Sequence, residues 1–196
     1  MADERDYITM YGFQFDDWDS TFGGTTFDHH LVRNANTVSP YVMSTTSSVW
    51  VTNGVEFIYP HHIKRKYFLE GVVEGEVTFG HNEATVSQIS DYRVTIFKLN
   101  TDTTKTDLAT TGVVSVTFRT SSCVPAGDGM VFHYYINVYQ EPKVISEFDR
   151  IGIRIEWNKE HVIGVSKTSA KLLHELSIVG NGNYDLWADL PLILGD

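Results

Sequence analysis

Two pairs of adjacent histidines are the residues of this chain whose types best suit metal binding. The segment "FDHH" contains His29 and His30, and "YPHH" contains His61 and His62. Neighbouring residues of a strand point to opposite faces of its sheet, so only one histidine of each pair can join a given site. The spacing matches no zinc motif. We therefore expect polar surface or interface positions here, with no metal site and no cofactor.

Paired carboxylates form the second arrangement with chemical potential. Glu74 and Glu76 are separated along one strand face by about 7 Å, and paired carboxylates on a sheet can hydrolyse glycosidic bonds. Together with Glu70 they also make an ordinary solvent-facing row that would deter edge-to-edge aggregation. We expect that second role. Asp17 and Asp19 begin like a calcium-binding loop, but the remaining oxygen ligands are missing, so a hydrated acidic loop is expected.

Nucleophilic catalysis has no recognisable motif in this sequence. The chain has no Gly-x-Ser-x-Gly elbow. Its one cysteine, Cys123, lies in the turn-rich segment "TSSCVPAGDG" without a histidine beside it in sequence, and a lone loop thiol is usually inert. The segment "GNGNYD" lacks the third glycine of a dinucleotide loop. The sequence therefore predicts no catalytic residue, no cofactor-binding residue and no enzymatic function.

The elements that would position these residues are β-strands. In "DRIGIRIEW", Ile151, Ile153, Ile155 and Trp157 alternate with polar residues and glycine, which is typical of a strand with one buried face. Similar alternation recurs in "YFLEGVVEGEVTF", "GVVSVTFRT" and "MVFHYYINVYQ", and Asn53-Gly54 favours a hairpin turn. We predict eight or nine strands in an all-β, antiparallel, jelly-roll-like β-sandwich with an extended N-terminal arm.

The N-terminal segment differs from the rest, and we predict two parts: an arm and irregular segment over residues 1–45 and a β-sandwich domain over residues 46–196. The first 30 residues hold seven acids and one base, Arg5. Aromatic side chains without strand periodicity favour an interface over a core. The predicted partner-interface residues are Tyr7, Tyr11, Phe13, Phe15, Trp18, Phe22 and Phe27.

Charge and composition restrict the classes of partner. The 196 residues carry a formal net charge of −10, which disfavours nucleic-acid binding. One cysteine excludes an intrachain disulfide and fits folding in a reducing cytoplasm. The start "MADERDYITM" lacks the apolar region of a signal peptide, and no apolar run reaches membrane-spanning length. We expect no nucleic-acid partner and no membrane partner.

A family resemblance covers about half of the chain, from residue 65 to residue 158. The segments "RKYFLEGVVEG", "YRVTIFKLNTDTTKTDLATTG" and "SEFDRIGIRIEW" resemble β-sandwich accessory proteins of tailed-phage virions. In those proteins an Asp-Arg pair opens a strand of alternating aliphatic residues, and Asp149-Arg150 stands in that place here. The resemblance implies a structural role and carries over no catalytic residue.

The resemblance leads to a functional expectation with two alternatives. We expect a non-enzymatic virion protein that is assembled in host cytoplasm. It would be a capsid decoration, cement or minor capsid protein that binds the major capsid protein or other virion proteins. A homo-oligomer, with a trimer favoured, is the expected assembly. The alternatives are a carbohydrate-binding jelly-roll module of a tail or fibre and, less favoured, a jelly-roll glycoside hydrolase.

Overall fold

A computed structural model describes residues 5–14, 20–22, 25–27, 29–32, 41–45, 55–81, 87–118, 129–163, 170–174 and 187–195. These residues form sixteen strands and no helix. No membrane-spanning helix is therefore present among them. Asn53-Gly54, Cys123 and the segment "GNGN" lie outside the described residues.

The strands follow one another through the whole described chain. The first eight are β1 (Arg5–Gln14), β2 (Ser20–Phe22), β3 (Thr25–Phe27), β4 (His29–Val32), β5 (Tyr41–Thr45), β6 (Val55–Ile58), β7 (Tyr67–Leu69) and β8 (Val72–His81). The other eight are β9 (Ser87–Leu99), β10 (Lys105–Thr110), β11 (Val114–Phe118), β12 (Gly129–Asn137), β13 (Lys143–Ile145), β14 (Arg150–Ile163), β15 (Ala170–His174) and β16 (Trp187–Leu194).

The strands pair along one long hydrogen-bonded path that folds around a common core. The path runs β10-β9-β14-β6-β4-β1-β16-β8-β15-β5, while β11, β12, β7 and β13 attach beside it and β2-β3 forms a separate hairpin. The pairings are antiparallel apart from β4 with β6. One buried cluster joins residues of β6, β9 and β14 to residues of β8, β12 and β16. The predicted all-β antiparallel sandwich is confirmed.

The alternation read from the sequence places the predicted side chains in the core. Ile151, Ile153 and Ile155 are fully buried, and Ile153 lies opposite Ile96 on β9 and Phe57 on β6. On β12, Tyr134 and Ile136 are buried as predicted. Period-2 alternation identifies the core face because successive side chains point to opposite sides of the sheet.

The opposite face of β14 is only partly polar, because a small apolar cluster covers its first residues. Ile58, Phe97 and Leu99 are buried there, and Phe22 packs against them. Gly152 pairs with Phe97 and Ile58, and a methyl group added to Gly152 would collide with the Phe97 ring. The missing side chain of Gly152 therefore makes room for the aromatic ring on the neighbouring strand.

The N-terminal strand is a member of the sheet. β1 pairs with β16 along residues 5–11 and with β4 along residues 11–14. Met10 and Leu31 belong to the central core. The boundary at residue 45 stays a prediction, and strands on either side of it share this core.

Substitution of the core isoleucines tests this register. Ile153→Ala and Ile155→Ala are each expected to lower the free energy of unfolding by roughly 2–5 kcal/mol, because each leaves a cavity in a closely packed interior. Urea unfolding followed by tryptophan fluorescence measures the loss. Val113→Ala is the control, since Val113 is 58% exposed. Midpoints of both core variants equal to that of the control would show that the register is wrong.

Enlargement of Gly152 tests the close approach of Phe97. Gly152→Ala is expected to cost about 1–3 kcal/mol of stability through overpacking. The double variant Gly152→Ala/Phe97→Leu should be less destabilised than the sum of the two single variants, because the shorter side chain relieves the collision. Strict additivity in urea unfolding would contradict the contact.

Candidate functional site

A loop and a turn are joined by backbone hydrogen bonds and line a surface cleft among the described residues. The loop runs from residue 59 to residue 64, and the turn spans residues 146–149. The amide of Ile63 donates to the carbonyl of Asp149 and the amide of Phe148 donates to the carbonyl of Ile63, each over 2.8 Å. The cleft has a volume of about 530 Å³ and is lined by Pro60, His61, His62, Ile63, Lys64, Glu147, Phe148 and Arg150.

The buried carboxylate of Asp149 holds the turn in place. Its Oδ2 accepts a hydrogen bond from the amide of Ser146 over 2.8 Å and another from Lys98 Nζ over 3.1 Å. Both charged side chains are largely buried, at 5% exposure for Asp149 and 16% for Lys98. A buried charge of this kind is tolerated because an opposite charge and a backbone donor compensate the loss of water.

Phe148 projects its ring from the turn at the mouth of the cleft. Its backbone φ is +72°, in the left-handed region that residues other than glycine rarely adopt. The side chain is 54% exposed, and its ring lies edge-on to the imidazole of His62. An exposed aromatic on a strained turn is a feature that is often found at functional sites.

Arg150 forms the floor of the cleft and is held by three kinds of contact. Its guanidinium carbon lies 3.9 Å from the centre of the Phe22 ring. Its Nε donates to the carbonyl of Pro60 over 3.4 Å, and its Nη2 lies 3.1 Å from His62 Nε2. Burial lowers the pKa of Arg150, because removal from water disfavours the charged form.

The contacts of His62 assign its tautomer. A guanidinium can only donate hydrogen bonds, so Nε2 of His62 accepts from Arg150. Nδ1 of the same ring then donates to the carbonyl of Phe148 over 3.0 Å. Through these two contacts the His62 ring links the guanidinium of Arg150 to the turn.

Arg150 differs from its basic neighbours in its charge environment. Arg93 binds Glu156 over 2.7 Å, and Arg154 binds Asp107 over 2.7 Å. Across the rest of this face Lys105 binds Glu56. Within the described part of the chain no carboxylate lies within ion-pair distance of Arg150.

A second surface feature is a strip of apolar side chains on the outer face of the sheet, which we call the outer strip. It consists of Tyr7, Phe68, Val144 and Ile193. Phe68 lies opposite Val144 on β13 and Ile193 on β16. Tyr7 is 55% exposed and Val144 is 40% exposed. Apolar side chains grouped on a sheet face are typical of a protein contact surface.

The structure divides the predicted interface residues between different environments. Tyr7 lies on the outer strip, and Phe22 packs below Arg150 against the small apolar cluster. The side chains of Tyr11, Phe13 and Phe27 and the whole of Phe15 and Trp18 lie outside the described residues. Their role at an interface stays a prediction.

The carboxylate row on β8 differs from the exposed edge that the sequence suggested. β8 lies between β12 and β16, so it is not an edge strand. Glu74 and Glu76 are half-buried, and Glu76 lies 3.1 Å from His133 Nδ1 on β12. Flanking strands shield the row, which sequence spacing alone cannot reveal. In the described ranges no three metal-ligating side chains come together.

No sequence pattern indicated that the residues of the cleft lie together. Asp149-Arg150 was recognised as the opening of a strand, and His61-His62 as polar surface. Lys64 precedes β7. Pairing of residues 63 and 148 across the sequence brings these groups together, and no local motif carries that information.

Solved structures similar to this chain supply a further observation. A CocE/NonD family hydrolase from Staphylococcus aureus matches with a TM-score of 0.59 and 12% identity. An aminopeptidase from a marine sediment Thaumarchaeota archaeon matches at 0.57 and 8%, and an α-amino acid ester hydrolase at 0.57 and 6%. All three are hydrolases. No family model and no curated protein sequence matches the chain.

The matches cover a much larger share of this chain than of the hydrolase chains. They cover 95–97% of this chain but 36–37% of each hydrolase chain. This chain therefore spans little more than a third of the length of the structures that it matches. At these identities the likeness shows the shared fold.

The hydrolase neighbours contradict the expected function. The predictions of a capsid decoration or cement protein and of a chain without enzymatic function are wrong, because the matched structures are hydrolases. The error has a physical origin. Strand alternation, acidity and exposed aromatics specify a β-sandwich surface, and a fold by itself does not determine a function.

The buried ion pair provides a test of how the cleft is held together. Asp149→Asn is expected to lower the free energy of unfolding by about 3 kcal/mol, because Lys98 is left buried without its counter-charge. Glu147→Gln is the matched control, since this neighbouring acid is exposed. Equal urea midpoints for the two variants would contradict the anchoring role of Asp149.

Proposed function

We propose that this β-sandwich acts as one part of a hydrolase that transfers acyl groups to water, as ester hydrolases and aminopeptidases do. The observation that carries the proposal is the match of 95–97% of this chain to 36–37% of each hydrolase. In this proposal the sandwich works beside a catalytic unit that corresponds to the larger part of those enzymes. That unit lies on the same polypeptide or on a separate subunit.

The outer strip supports the proposal, because it offers a surface for the catalytic unit. Val144 and Tyr7 expose apolar groups at its two ends, with Phe68 and Ile193 between them. Lys66 lies 4.9 Å above the Phe68 ring at its border. An apolar centre with charged groups at the rim is the usual composition of a lasting protein interface.

The experiment measures hydrolysis by the protein isolated intact from its native source. The sample keeps every segment and subunit that accompanies the chain. The substrates are p-nitrophenyl esters and aminoacyl p-nitroanilides. Hydrolysis is expected to co-elute with the chain in size-exclusion chromatography. The absence of turnover in every fraction that contains the chain would overturn the proposal.

A pair of variants tests the proposed contact surface. Val144→Asp places a charge in the outer strip and is expected to lower the hydrolytic activity per mole of chain by about tenfold or more, because burial of an unpaired charge opposes docking. Val113→Asp introduces the same charge at a similarly exposed position outside the strip and should leave activity unchanged. Equal activity of the two variants would show that the strip is not the contact.

A further inference from the structure

We propose that the cleft between loop 59–64 and turn 146–149 is a binding site for a small aromatic carboxylate, whose carboxylate pairs with Arg150. This inference is independent of the proposed hydrolase function, because it depends only on the geometry of the cleft.

Among the described residues no carboxylate pairs with Arg150. Its neighbours Arg93 and Arg154 bind carboxylates on the same face. Arg150 instead contacts an aromatic ring, a carbonyl oxygen and the Nε2 atom of His62. These contacts orient the guanidinium, and within the described ranges they supply no opposite charge to this partly buried group. An anionic ligand would supply the compensation.

The guanidinium of Arg150 is ordered before a ligand arrives. Among the described residues its Nη1 makes no hydrogen bond, while Nε and Nη2 are both engaged. The guanidinium carbon lies 3.9 Å from the centre of the Phe22 ring, and His62 is itself hydrogen-bonded to the turn. Binding then requires little further ordering of the side chain, which favours affinity.

The charged groups that line the cleft suit a ligand with one negative charge. Arg150 and Lys64 are its cations, and Glu147 is its acid. The formal charges of Arg150, Lys64 and Glu147 sum to one net positive charge, which balances one carboxylate. A phosphate dianion would face the carboxylate of Glu147 with too few cations. The planar fork of a guanidinium also matches a carboxylate geometrically.

The cleft also offers apolar surface to a ligand. The ring of Phe148 is 54% exposed at the mouth of the cleft, and Pro60 and Ile63 line its wall. The volume of about 530 Å³ lies within the range that small-molecule sites occupy. A flat aromatic group can stack on Phe148 while its carboxylate reaches Arg150.

The experiment titrates the protein with phenylacetate, with the neutral analogue phenylacetamide and with inorganic phosphate. Binding is followed by calorimetry and by amide and guanidinium resonances in nuclear magnetic resonance. Phenylacetate is expected to bind about tenfold more tightly than phenylacetamide, because the charge-assisted hydrogen bonds are lost in the amide. Phenylacetate should also shift the Nε–H resonance of Arg150 without shifting that of Arg93. This comparison uses the unaltered protein.

Three variants locate the site. Arg150→Gln is expected to weaken phenylacetate binding by about tenfold or more. Phe148→Gly removes the ring while it tolerates the positive φ, and it should weaken binding severalfold. Arg93→Gln, on the same face but outside the cleft, should bind as the unaltered protein does.

Distinct results would overturn the inference. Equal affinity for phenylacetate and phenylacetamide would remove the role of charge. Tighter binding of phosphate would overturn the assignment to carboxylates. Perturbation of Arg93 in place of Arg150 would place binding elsewhere, and the absence of any binding would refute the site.

Discussion

The register between β9 and β14 is the constraint on which the rest of the structure depends. These two antiparallel strands pair from Arg150 opposite Leu99 to Ile163 opposite Ser87, with one irregularity near Lys159. Because side chains alternate between faces, a shift by one residue would move every buried isoleucine to the outer face. The same shift would separate Arg93 from Glu156 and Phe97 from Gly152. The core, the ion pairs and the cleft therefore all depend on the pairing of β9 with β14.

The candidate site lies at the start of β14, where the strand pairing begins. Residues further along the outer face neutralise one another in ion pairs, whereas the first residue of the strand has no carboxylate among its described neighbours. Asp149, one position earlier, points its charge inward to Lys98 and the amide of Ser146. The neighbouring acid is thus committed to holding the turn, and the guanidinium of Arg150 is directed toward the cleft. Adjacent charges are separated in this way because consecutive side chains leave the backbone in opposite directions.

The hydrolase neighbours show the fold of this chain, whereas its function depends on particular surface groups. Low identity over nearly the whole chain shows that many sequences satisfy the same sandwich, because a core requires apolar alternation and adequate volume before it requires particular residues. Function resides in groups that this requirement leaves free, such as the outer strip and the cleft. The functional expectation came from a resemblance between strand segments, which does not describe these groups, and the hydrolase neighbours contradict it.

The sequence by itself determined the all-β class, the inward face of β14 and the inward face of β12. These are local properties, since alternation along one strand states which side chains share a face. Tertiary structure alone decided that β8 is flanked on both sides, that β1 lies within the sheet, and that Gly152 accommodates Phe97. It also decided that His62, Phe148 and Arg150 meet, although more than 80 residues separate the first from the other two. Such contacts depend on which strands pair, and pairing between distant segments leaves no periodic signal in either one.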